Sequence, residues 1–221
     1  MRTLIRGLAE LTVTAGLVLA LLVAYLVWGT GGYTRQEQKS LNDELERQWQ
    51  AERTRAQAAR DRSTGAGAGT GAIRRTRAAA PVEGRAFAAI RVPRFGPSYR
   101  YAVVEGVTPA DLRRGPGHYP GTAGPGEVGN MVISGHRTTY GAPFNRNDEL
   151  RAGDEILIDS AAGTFAYRVT GRMVVRPNAT QVIAPVPLRP GVRPRERALT
   201  LTTCHPEFSA AYRLVVFAEM R

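Results

Sequence analysis

Residues Leu199–Val216 read LTLTTCHPEFSAAYRLVV. A threonine-rich, strand-forming run ends at Cys204, the only cysteine of the 221-residue chain. His205–Glu207 has the composition of a turn, and an apolar run resumes after Arg213. That run is apolar at consecutive positions, the pattern of a strand buried on both faces. A free cysteine is more often a small buried hydrophobe than a nucleophile. A single cysteine cannot form an intramolecular disulfide, so outside the cytoplasm such a thiol is either buried or used.

Outward from this stretch, the chain from Arg85 onward alternates short β-rich runs with turn signals. The runs are AFAAIRV, YAVVE, NMVIS, DEILID, TFAYRVT, RMVVRP, ALTLTT and YRLVVFAE, about eight candidate strands. PRFGPS, GPGHYPGTAGPGEVG, AAGT and PLRPGVRP separate them. TPADLRRG predicts one short helix, with Thr108 as N-cap, Pro109 at its first position and Gly115 just past its end. Many short strands between Gly/Pro turns predict an all-β sandwich or barrel. The segment from Pro81 has about 140 residues, enough to bury a core without disulfides. There is no P-loop, no dinucleotide glycine motif and no metal-type Cys/His spacing, so neither a cofactor nor a metal is expected. Asp148, Glu149, Asp154 and Glu155 read as strand-flanking charges.

The N-terminal part has a different character. Leu11–Trp28 carries no charged residue, and eighteen helical residues reach about 27 Å, close to the thickness of a hydrocarbon core. The run is long for a signal peptide, and GTGGYTRQEQ after it offers no small-x-small cleavage site, which favours a retained transmembrane anchor. Trp28 suits the membrane interface, and Arg2 and Arg6 place the N-terminus in the cytoplasm and the rest outside the membrane. Residues 37–63 are rich in helix formers, with Leu41, Leu45 and Trp49 as a thin apolar stripe; they predict a charged helical stalk. Ser63–Ala72, STGAGAGTGA, reads as a flexible linker. The expected organisation is an anchor over 1–30, stalk and linker over 31–80, and a folded domain over 81–221. The formal net charge is +11, yet the arginine clusters at Arg53–Arg62 and Arg74–Arg77 lie in the stalk and linker without interleaved aromatics. Nucleic acid is therefore not the expected partner; anionic wall polymers or lipid headgroups suit an anchored protein better, and a merely solvated basic linker is the plainer reading than either.

A cysteine nucleophile needs a proton partner and a group that holds the developing oxyanion. Of three histidines, His136 follows the run NMVIS and sits behind Gly135, which suits a sharp turn that aims a side chain into a site. His118 lies in the loop GPGHYPG. His205 adjoins the thiol and would point to the opposite face if the strand continued through it. Arg213 offers several fixed donors and a permanent charge.

TLTTC, with Arg213 nine residues after the cysteine and the SGH of Ser134–His136 about seventy residues upstream, resembles the sortase family. GHYPGTAGPGEVGN, SGHRTTYGAPF and LTLTTCHPEFSAAYRLVV are similar to class E sortases of high-GC Gram-positive bacteria, and the likeness covers roughly Arg85–Arg221. The resemblance implies a closed eight-stranded β-barrel with short helices. It also implies cysteine transpeptidation at the Thr–Gly bond of an LPXTG-like C-terminal sorting signal, LAXTG in class E, with a cell-wall precursor amine as acceptor. Carried over, Cys204 is the nucleophile, His136 the general acid and base, and Arg213 the stabiliser of the oxyanion or substrate backbone. Tyr119 matches the class E tyrosine associated with substrate preference. Thr203 is a plausible donor near the substrate, and His205 a supporting residue. An L,D-transpeptidase would show Ser-His-Gly-Cys, which is absent, and a papain-like protease would carry its cysteine on a helix ahead of its histidine. The rival of another class is a non-catalytic, membrane-anchored module that holds wall polymer.

Overall fold

The computed structural model describes residues 2–25, 29–65 and 81–220. Trp28 and the part of the expected linker beyond Gly65 lie outside the described residues. Two long helices, α1 (Arg2–Ala24) and α2 (Thr30–Gly65), precede the strands. These are β1 (Ala86–Arg91), β2 (Arg100–Glu105), β3 (Gly117–His118), β4 (Gly129–Ser134), β5 (Glu155–Ser160), β6 (Gly163–Val175), β7 (Arg197–His205) and β8 (Tyr212–Met220). They close into a barrel in the order β1-β2-β3-β4-β7-β8-β6-β5. The apolar members of alternating pairs, among them Ile90, Met131, Ile133, Ile156, Ile158, Leu199, Leu201 and Val216, fill its interior.

Eight strands form, as the sequence predicts, but not the same eight. TFAYRVT and RMVV join into the single 13-residue β6. The register against β8 slips between Val169 and Gly171, so Thr170 is the extra residue of a bulge and the strand runs on through Gly171, which pairs with Phe217. The eighth strand is β3, two residues long and too short to carry a periodic signal. The short helix α3 (Pro109–Arg114) is capped as predicted: the Thr108 side chain accepts from the Asp111 amide and the Asp111 carboxylate accepts from the Thr108 amide.

The larger difference concerns α2. It runs 36 residues, and its stripe is covered rather than free: Leu41, Leu45 and Trp49 are buried against Ala86 and Ala89 of β1 and Ala102 and Val104 of β2. Small alanines on the outer face of the barrel make room for these large side chains. Polar ties surround the seam. Gln38 Nε2 donates to Ala102 O (3.1 Å) and Arg114 O (2.9 Å), while Gln38 Oε1 accepts from Ala102 N (2.7 Å). Arg114 pairs with Glu37 (3.0 Å), Arg100 with Glu46 (2.9 Å), and Arg85 with Glu44. The expected stalk is thus, over residues 30–49, a strut fixed to the barrel. The helix continues beyond Trp49, and residues 50–59 are exposed. In α1, Ile5–Ala24 has a mean hydropathy of 2.0 and no burial, which by length and composition is enough to cross a membrane.

Leu45 is fully buried in this seam. Leu45→Ala should cost about 2–5 kcal/mol in chemical denaturation, the range of buried leucine truncations. A free stalk would lose less than about 0.5 kcal/mol.

Candidate active site

β7 organises the site. It pairs in parallel with β4 on one side and antiparallel with β8 on the other. Leu199 and Leu201 point into the barrel, so the period of two puts Thr200, Thr202 and Cys204 on its outer face. That face is roofed near its start by the β6–β7 connection. Asn130 Nδ2 donates to Val182 O (3.2 Å) and Ala184 O (3.0 Å), and Thr200 Oγ1 donates to Asn130 Oδ1 (2.8 Å). At the other end of β7 the roof is gone, and Cys204 is half-buried with a free thiol.

Arg213 is the direct cross-strand partner of Cys204 in the β7–β8 ladder. Opposed residues of an antiparallel pair share one face, with Cβ atoms about 4.5–5.5 Å apart. Arg213 Nη1 donates to Ala210 O (3.1 Å) and Tyr212 O (3.0 Å), which anchors one edge of the guanidinium on the loop before it. Its Nη2 and Nε have no protein partner among the described residues.

His136 leaves the end of β4, where Ser134 is in register with Thr202. Two bonds fix this junction: Gly135 N donates to Thr202 O (3.1 Å), and Thr203 Oγ1 donates to Gly135 O (2.8 Å). His136 therefore starts beside the Thr203–Cys204 end of β7. Gly135 is needed for space rather than for a special dihedral, because a Cβ there would lie 2.7 Å from the Phe144 ring, a buried core residue. The His136 ring packs against Tyr140 (centroids 5.0 Å apart), over which the Arg113 guanidinium lies at 5.8 Å. Burial lowers the His136 pKa below the ordinary imidazole value, and the charge of Arg113 lowers it further.

The structure brings Cys204, His136 and Arg213 to the ends of three adjacent strands. The other sequence candidates are placed differently. Thr203 is buried, and its hydroxyl is bonded to Gly135, so it braces β7 to β4 rather than facing a ligand. Tyr119 is half-buried beyond β3, with its backbone held by Val132 O (2.9 Å) and Thr122 (3.2 Å). His118 is a strand residue rather than a loop residue. It is buried between Glu105 of β2 (2.6 Å) and Thr122 (2.8 Å) and Ala123 O (3.0 Å) of the β3–β4 connection. His205 ends β7, and its Nδ1 lies 2.7 Å from Arg137.

Sequence reasoning missed the residues that hold the His136 loop. Tyr99 donates to Pro143 O (2.6 Å), Tyr101 to Gly141 O (3.2 Å), and Tyr140 N to Thr30 Oγ1 of α2 (3.2 Å). Tyr101 lies in β2 and Tyr99 just before it, both packed against the core, and neither shows a signal beyond that. The link from Thr30 crosses 110 positions and has none.

Comparison with known proteins agrees with the architecture. The sortase domain family model matches residues 90–221. Sortase SrtE1 of Streptomyces coelicolor is 29% identical over 97% of this chain and 56% of its own length. The chain spans about half the length of the curated relatives it matches. Sortase E from Streptomyces avermitilis is 38% identical, with a TM-score of 0.57 over 63% of this chain and 90% of that one. Sortase E1 from Streptomyces coelicolor, solved with a tripeptide in the active site, is 34% identical, with a TM-score of 0.58 over 64% of this chain and 91% of that one. With the sortase model matched over residues 90–221 and the fold shared with solved class E sortases, the chain belongs to the sortase family and is class E-like.

Proposed function

We propose that the protein is a membrane-anchored cysteine transpeptidase. It cleaves the Thr–Gly bond of an LAXTG- or LPXTG-like sorting signal and passes the acyl group to a cell-wall precursor amine. The observation that carries this reading is the cross-strand pairing of Cys204 with Arg213 beside the strand end that launches His136. In the proposed organisation, residues 1–30 hold the anchor with the N-terminus inside, and the catalytic domain faces outward with the first half of α2 as part of its wall.

The Cys204 thiolate attacks the threonine carbonyl carbon, and the electron pair moves to the carbonyl oxygen. The unpartnered Nη2 and Nε of Arg213 are the donors for that oxyanion. On collapse the C–N bond breaks, and the His136 imidazolium gives its proton to the departing glycine amine. The thioester keeps the acyl group activated. The incoming amine loses a proton to the His136 imidazole, forms the new amide, and expels Cys204 as thiolate. Both His136 states are used, so neither proton is lost from the cycle. Tyr119 contributes to the LAXTG preference, and substrates of this kind are secreted proteins with a C-terminal signal.

Full-length protein in detergent, mixed with an LAXTG peptide and a primary-amine acceptor, should give the ligated product by mass spectrometry. Cys204→Ala should give none, and Arg213→Lys should lower kcat by about 10²–10³-fold, the usual loss on removing an oxyanion donor. Cleavage that persists in Cys204→Ala contradicts the reading. The lowered His136 pKa means that the imidazolium is depleted as pH rises through a value below the ordinary one. An NMR titration in the Cys204→Ala background should show this, and Arg113→Gln should move the midpoint up by removing the like charge. A midpoint at or above the ordinary imidazole value would refute the assigned burial. Tyr119→Ala should narrow the ratio of kcat/KM for LAXTG over LPXTG peptides, and an unchanged ratio removes Tyr119 from the substrate pocket.

A further inference from the structure

Arg137 follows His136 in the chain, and its side chain is 4% exposed. A buried guanidinium is costly unless it is paired. Nη1 lies 2.7 Å from His205 Nδ1, and Nη2 lies 2.9 Å from Asp148 Oδ2. Nε is buried without a hydrogen bond, with Glu207 Oε1 3.9 Å away. The backbone of Arg137 is tied as well: Asn145 Nδ2 donates to Arg137 O (3.1 Å) and to Glu207 Oε1 (2.9 Å). One side chain therefore links the loop after β4 to the turn after β7.

The placement of these links matters more than their number. Arg137 adjoins the proposed acid and base, and His205 adjoins the proposed nucleophile. Neighbouring Cα atoms are 3.8 Å apart, so a bond between Arg137 and His205 restrains the gap between His136 and Cys204 at one residue's remove on each side. Asp148 and Glu207 are about half-exposed, so water and salt screen their attraction. The contact to His205 is the sheltered one. Guanidinium has donors only, so His205 Nδ1 must accept, which places the His205 proton on Nε2. The Nδ1 lone pair is then occupied and cannot serve Cys204 as a base.

We propose that Arg137 is a positioning residue that acts through His205, holding the β4 and β7 ends at the separation the thiol and imidazole need. The proposal rests on the transpeptidase reading for its kinetic consequence, but the restraint itself is a property of the two strand ends. A residue of this kind affects turnover rather than substrate affinity.

The test uses full-length protein in detergent, below the melting temperature of each variant. Arg137→Ala and His205→Ala should each lower kcat for an LAXTG peptide by about 10–100-fold, with KM within about twofold. The double variant should be no worse than either single one, because the two side chains act as one unit. His205→Asn, whose Oδ1 can stand where Nδ1 stands, should recover most of the loss. Multiplicative losses in the double variant, or equal losses in His205→Asn and His205→Ala, overturn the proposal. If Arg137→Ala does not fold, Arg137→Lys combined with the two His205 variants gives the same comparison. Wild-type protein that forms no product would mean that the transpeptidase reading has failed. The alkylation rate of Cys204 by iodoacetamide then decides on Arg137: the two alanine variants should change it by the same factor and the double variant no further. Independent changes, or none, reject the linkage.

Discussion

The parallel pairing of β4 with β7 is the constraint on which the site depends. A parallel pair cannot be closed by a tight turn, so the chain travels from Ser134 to Arg197 before β7 forms beside β4. That detour builds β5, β6 and the connection that covers the start of β7. The register then does two things at one end. It sets Gly135 against Thr202 and Thr203, which launches His136, and through β8 it sets Cys204 opposite Arg213. A shift of one residue in β7 would turn Cys204 into the barrel and Thr203 outward. The leucines of Leu199–Leu201 resist such a shift, because they would lose the core.

Support for the His136 loop comes from outside these strands. Tyr99 just before β2 and Tyr101 within it hold its carbonyls, Arg113 lies over Tyr140 from α3, and Thr30 accepts from its backbone at the start of α2. Five residues separate the end of α1 at Ala24 from Thr30. The loop that bears His136 is thus tied to a helix that begins within a few residues of the apolar segment. A flexible stalk would have left that loop mechanically independent of the apolar segment.

Much of this was legible in the sequence where signals are local. Cys204 and Arg213 stand at facing ends of a hairpin, and the Thr108 cap is written in four residues. The eight-strand count holds by compensation: the runs TFAYRVT and RMVV join across a bulge at Thr170, and Gly117–His118 are too few to show alternation. The stripe Leu41, Leu45 and Trp49 was visible, but a thin stripe fits an exposed coiled helix and a docked one equally. Only the alanines Ala86, Ala89 and Ala102 across the seam decide between them, and they lie far away in sequence. Gly135 suggests a sharp backbone turn in the sequence, whereas its role is to admit the Phe144 ring. Arg137 and Thr203 were opaque because their roles are partnerships with His205 and Gly135 across 68 positions each.

In the proposed reaction the thiol at the open end of β7 carries the acyl group. The direct measurement is to mix full-length protein with an LAXTG peptide in the absence of amine, quench in acid, and map the adduct by peptide mass spectrometry. An added acyl mass is expected, confined to the peptide that contains Cys204 and discharged when an amine is supplied. Peptide cleavage without any adduct on Cys204, or an adduct on another residue, would contradict it.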